Sequence, residues 1–345
     1  MNARKMPGIV AVATVLLTGG LVMAAHAPWP SDWNNWSDPN LWVPVGNPGN
    51  AADGTSYGSV GYTFNMGKFE VTAGQYTEFL NKVGATDTYL LYNTNMDTGV
   101  YSWGCNIKRT GSSGSYTYSV DPNWANRPVN FVAWGDAARF ANWLTNGQPT
   151  GPQDANTTED GSYDLNGATT GSALQAVTRK TAAQGGRYYI PTEDEWYKAA
   201  YHKNDGVTGN YFDYPTGSDS QPGRDMSEVT NPANNANYYS NAFLIGSPYY
   251  RTEAGDFELS DSPCGTFDQG GNVWEWNEAI VSGSNRGLRG GSLSLYGSYL
   301  LAATRYDYNP TYEDRTFGFR VSEVPEPATM ALLALGGLSV LRRRR

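Results

Sequence analysis

Gly265-Thr266-Phe267-Asp268-Gln269-Gly270-Gly271-Asn272-Val273-Trp274-Glu275-Trp276 is the most informative run of the 345-residue chain. Its end, Val273 to Trp276, predicts a short strand. Ahead of that strand, Asp268 and Glu275 frame a glycine pair. The two carboxylates are hard oxygen donors, and the glycines let the backbone curl until the carbonyls of Gly271 and Val273 face the same point. Oxygen ligands gathered from one compact loop suit calcium. The alternative reading of the same residues is a tight turn carrying solvated acids.

Around this run the chain predicts three helices. From Thr72 to Val83, the residues Tyr76, Phe79, Leu80 and Val83 keep helical spacing behind a Thr72 cap. From Gly135 to Thr145, Ala137, Phe140, Ala141 and Leu144 share a face, and Asn146-Gly147 stops the helix. A third opens at Pro191, where Thr192 and Glu195 match a capping box and Glu193, Asp194 and Glu195 suit the positive end of the helix dipole. That placement explains the three acids without acid-base chemistry. Further strands are expected at Tyr62 to Val71, Arg187 to Ile190, Gly287 to Gly290 and Phe317 to Val321. With 40 glycines, 24 tyrosines and 11 tryptophans, such a chain buries aromatics under turn-rich loops. The fold class is α+β: irregular and loop-rich, short sheets with a few helices.

The run at Gly265 resembles the core motif of the formylglycine-generating enzyme family, the sulfatase-modifying factors. Other pieces match in order: Phe69-Glu70-Val71-Thr72, Arg127-Pro128-Val129-Asn130, Ile190-Pro191-Thr192-Glu193-Asp194-Glu195-Trp196, Arg289-Gly290-Gly291-Ser292 and Gly318-Phe319-Arg320. The resemblance implies a variant of the C-type lectin fold over residues 59–322, after a loosely ordered lead-in at 28–58. It also implies a structural calcium held by Asp268, Gly271, Val273 and Glu275, partly through backbone oxygens. Asp268 stands where the enzyme of known activity has Asn. A second calcium site of the family would begin at Asn237-Tyr238, but no Asp follows at a convincing place.

The family's oxygen-dependent enzyme holds copper(I) with two cysteines, because a soft ion prefers thiolates. The matching positions here are Leu295 and Leu300, so the resemblance implies no catalytic residues and no copper. A sister branch binds iron through three histidines. This chain has only His26 and His202, and no iron is expected either. His202 reads as a surface or cap residue. Cys105 and Cys264 lie far apart and read as two separate thiols, a disulfide being the alternative. Two functions follow as expectations: a binding or structural module, or an oxidoreductase of altered chemistry acting on an exported protein or small molecule. The loops at Tyr89 to Tyr118 and Asn210 to Tyr250 are the expected recognition surfaces.

Both ends read as addresses. Arg4 and Lys5, the apolar run from Ile9 to Met23, and Ala24-Ala25-His26-Ala27 form a signal peptide, residues 1–27. At 323–345, Val324-Pro325-Glu326-Pro327, an apolar stretch and Arg342 to Arg345 resemble a PEP-CTERM sorting signal. That resemblance implies exosortase-type processing. A helix from Ala328 to Leu341 would rise only about 21 Å against a hydrocarbon core of about 30 Å, so its membrane association is transient. The expected location is the cell surface or extracellular matrix of a Gram-negative-type bacterium, with polysaccharide or matrix protein as partner. Cutting after Ala27 and Ala328 leaves 18 basic against 33 acidic residues, a net charge of −15. Such a surface repels phosphate backbones, which excludes nucleic acid, and concentrates cations.

Overall fold

A computed structural model describes residues 30–227 and 233–325; the signal segment and nearly all of the sorting segment lie outside them. The three helices form where the apolar spacing places them: Ala73–Val83, Trp134–Thr145 and Glu193–Tyr201. Thr72 and Gln75 make a reciprocal capping box at the first, and Thr192 and Glu195 make one at the third. At the second, the Asp136 carboxylate accepts from the Ala133 N–H at 2.8 Å, satisfying a free donor at the helix start.

The first two helices meet on aromatic rings. Phe79 lies 5.2 Å from both Phe140 and Trp143, and Phe140 lies 5.3 Å from Phe319. The tilted and edge-on arrangements are those that ring quadrupoles favour. Two four-stranded sheets flank this core. One orders Trp42–Val45, Phe64–Gly67, Ser322–Glu323 and Tyr188–Tyr189, all antiparallel. The other orders Tyr306–Tyr308, Arg286–Arg289, Trp274–Ile280 and Phe317–Gly318, with the last pair parallel.

Two expectations need correction. The lead-in is not loose from residue 30 onward: Trp42–Val45 is an edge strand, and Trp36, Leu41 and Val45 are buried. The expected strand at Tyr62 to Val71 pairs in the sheet only over Phe64–Gly67. Beyond it the backbone leaves the ladder, with the Lys68 N–H donating to Leu41 and the Val71 N–H to Phe319. Among the described residues, no helix is long and apolar enough to cross a membrane.

Candidate functional site

The Gly265–Trp276 run is curled by left-handed backbone at Asp268 (φ 59°), Gly271 (φ 91°) and Asn272 (φ 47°). At Gly271 no other residue fits, since a Cβ would lie 2.2 Å from the Asn237 carbonyl oxygen. The curl is pinned to the next element, with the Gly271 N–H donating to Gly290 and the Leu293 N–H to Asn272.

Glu275 is fully buried, and each of its oxygens accepts a hydrogen bond. Arg320 Nε reaches Oε2 at 2.5 Å and Nη2 reaches Oε1 at 2.7 Å, while Trp196 Nε1 donates to Oε2 at 2.7 Å. Asp268 Oδ2 accepts from the Gly255 N–H at 2.5 Å. Burial pushes the Asp268 carboxyl up to about 7. Glu70 sits beside both acids, and burial, then the charges of Asp268 and Glu275, raise it well above the usual carboxylate range. Glu70 and Glu275 are buried, Asp268 is part-buried beside them, and Arg320 pairs with Glu275. The raised carboxyls are groups that retain protons, and among the described residues no group of three or more His, Cys, Asp or Glu is placed to hold a metal ion.

Matching motifs far apart in sequence converge here. Glu70, Trp196 and Arg320 come from three of the ordered pieces, and a fourth supplies Arg289, which pairs with Glu193. The second expected site is different. Asn237 lies beside Gly271 with its amide oxygen buried and unpartnered. The neighbouring segment brings in the fully buried Arg251, which donates to the carbonyls of Trp103 and Gly104. A guanidinium there works against a second dication.

Leu295 and Leu300 do not share a wall. Leu300 is buried among Tyr214, Ala236 and Tyr238, whereas Leu295 borders an open cleft of about 270 Å³. The cleft is aromatic: Trp274 stacks on Tyr306 at 5.5 Å, Tyr308 lies 4.2 Å from Tyr312, and Tyr299 stands edge-on to Trp274. Tyr299, Tyr306 and Tyr312 remain 39%, 45% and 41% exposed, and Tyr296 beside them 57%. Ser294 and Asp314 add polar edges, and the buried Ser292 and Thr316 complete the polar lining. The expected recognition loops at Tyr89 to Tyr118 and Asn210 to Tyr250 do not line it. The signal available in the sequence was the five tyrosines between Tyr296 and Tyr312.

Other singled-out residues are held structurally. Glu193 pairs with Arg289 and Arg305, Asp194 accepts from the Gly58 N–H, and Glu195 pairs with Arg179. His202 caps the third helix, with Nδ1 accepting from the Asn204 N–H at 3.0 Å. Cys105 and Cys264 are both free thiols, one in the main core and one against the sheet cluster of Val45 and Phe64. Neither borders the cleft beside Leu295.

A loop-rich α+β domain, cross-linked by buried ion pairs around a carboxylate loop and opening on an aromatic cleft, is the class this geometry defines. The chain belongs to the sulfatase-modifying factor enzyme 1-like domain family, whose model matches residues 32–324. A PEP-CTERM protein-sorting motif matches residues 323–345, which supports export to the cell surface and implies exosortase-type processing. No curated protein sequence matches the chain. Among solved structures it is similar to CarF (21% identity, TM-score 0.48, 82% of this chain and 98% of that one). It is also similar to variable protein 1 of Treponema denticola (19%, 0.46, 82% and 95%) and to PvdO of Pseudomonas aeruginosa (17%, 0.41, 77% and 82%).

Proposed function

We propose that this chain is an exported binding module that holds a neutral polysaccharide of the cell surface or matrix in the cleft beside Leu295. One observation carries the reading: three half-exposed tyrosines and Trp274 line a cleft whose polar lining is serine, threonine and aspartate. A pyranose ring has a flat C–H face and a hydroxyl edge, and an aromatic wall with polar rims complements both. Each of those tyrosines keeps part of its ring open to solvent, where a ligand can reach it.

The residues offer little to the family's redox chemistry. Leu295 and Leu300 stand at the positions where the oxygen-dependent enzyme carries its copper-binding cysteines, and an aliphatic side chain gives copper(I) no donor. In the same proposal calcium is a structural ion, held by Asp268 and the carbonyls of Gly271 and Val273, with Glu275 shared with Arg320. Its role is to neutralise the buried acids, and no binding step runs through it.

The test is a glycan array with the purified chain, followed by calorimetry on the best neutral glycan, with Tyr306→Ala as the comparison. Tyr306 is half-exposed, so the variant folds, and its affinity is expected to drop at least about tenfold. Retention of no glycan would sink the proposal. So would stoichiometric copper(I) binding with oxygen uptake on cysteine-containing peptides.

A further inference from the structure

A second cavity, of about 350 Å³, lies across a single loop from the aromatic cleft. The loop alternates along its length. Thr311 and Glu313 border the second cavity, while Tyr312 and Asp314 border the cleft. The wall between the two is therefore one strip of chain. It is also firmly held: Asn309 Oδ1 accepts from the N–H and the hydroxyl of Thr311, and the Phe131 N–H donates to the Asp314 carbonyl at 3.0 Å. On its far side the Gly135 N–H donates to the Pro310 carbonyl.

The second cavity supplies what the first lacks. The cleft is mostly ring surface, whereas this cavity gathers hydroxyls from Thr88, Thr169 and Thr311 around the hydrogen-bonded carboxyl pair Asp136 and Glu313. The carboxyl oxygens offer acceptors and the Thr88 and Thr169 hydroxyls offer donors, a pattern suited to sugar hydroxyls. Leu90 stands at the rim, 72% exposed and in left-handed backbone (φ 57°). A leucine that exposed buries little against its own chain, and an apolar rim is what a pyranose face would cover.

Resting on the proposed function above, we infer that the two cavities are subsites of one groove, so that the ligand is a run of several linked sugar rings lying over Tyr312. The occupant is uncharged. Asp136, Glu313 and Asp314 line the route, and Arg139 is already paired with Glu159 at 2.7 Å, so a uronate chain would meet carboxylates with no free base to offset them. Equatorially linked rings form a flat ribbon that can lie on successive tyrosines.

The experiment is calorimetry with β-1,4-linked glucose oligomers of two to six units, using the wild type, Tyr306→Ala and Thr169→Trp. Thr169 is exposed at the mouth of the second cavity, and an indole there blocks it without entering the core. Wild-type affinity is expected to rise at least about tenfold from two to five units. Thr169→Trp is expected to erase that rise, whereas Tyr306→Ala lowers the affinity at every length. Equal affinity at all lengths, or a Thr169→Trp variant that keeps the rise, would overturn the two-subsite groove while leaving the single cleft standing. Binding of none of the oligomers, with uronate oligomers or peptides bound instead, would overturn both.

Discussion

At the scale of single residues, the Arg320–Glu275 pair bears most directly on how the site holds together. Both side chains are wholly buried, and the pair forms two hydrogen bonds. Removing one partner strands the other charge away from water, which costs about 3–5 kcal/mol. Arg320→Leu is expected to lose that much in urea unfolding with calcium chelated. The double variant Arg320→Leu/Glu275→Leu is expected to lose clearly less than the sum of the two single changes. A loss below about 1 kcal/mol in Arg320→Leu would show that Glu275 does not depend on the guanidinium. Asp268 and Glu275 were legible in the sequence because two acids around a glycine pair are a local pattern. Glu70, Trp196 and Arg320 were visible as parts of matched motifs. Their meeting at Glu275 was not, because contacts across tens to hundreds of residues leave no local spacing to read.

At the scale of elements, the starts of the three expected helices were read to within two residues, whereas strand ends and the short helices Pro122–Ala125 and Gly171–Ala176 were not. A helix end is fixed by nearby atoms, as when Thr72 Oγ accepts from Gln75 and Gln75 answers with its own side chain. A strand end is fixed by whichever distant segment arrives beside it, which is why the stretch at Tyr62 to Val71 pairs over only four residues. The loop between the two cavities was missed altogether, although its tyrosines were in view. Its anchor, the Asp136–Glu313 pair, makes a pH prediction. Burial raises both groups, and Glu313 rises further through the charge of Asp136. A folded chain whose carboxyls are raised keeps protons that the unfolded chain has already released. Stability contributed by the pair is therefore complete below the ordinary carboxylate range and falls as pH climbs toward and through neutrality. Glu313→Gln removes one of these groups while preserving a donor to Asp136. Unfolding free energies measured at pH 5 and pH 8 are expected to differ less in the variant than in the wild type. An unchanged difference would mean that the pair is not protonated in the folded chain.

At the scale of the whole molecule, acidity and burial act together. The full chain carries a formal net charge of −9, and part of its acidity is inside, where Glu70 and Glu275 are buried beside Asp268 and Arg320. Solvated surface acids would cost little, but buried ones destabilise the fold unless protons or a cation offset them. An ion bound only by the folded chain stabilises it by mass action, about 2.7 kcal/mol at a hundredfold excess over its Kd. Calcium is therefore expected to raise Tm by several degrees at neutral pH. Magnesium at the same concentration is expected to do much less, because it demands a tighter octahedral shell and gives up water reluctantly. Asp268→Ala should abolish the calcium response, whereas Tyr306→Ala should leave it intact, since Tyr306 supplies no oxygen to the carboxylate loop. A Tm indifferent to calcium in the wild type would assign the buried acids to shared protons alone, and the curled loop would then be held by Arg320 without an ion.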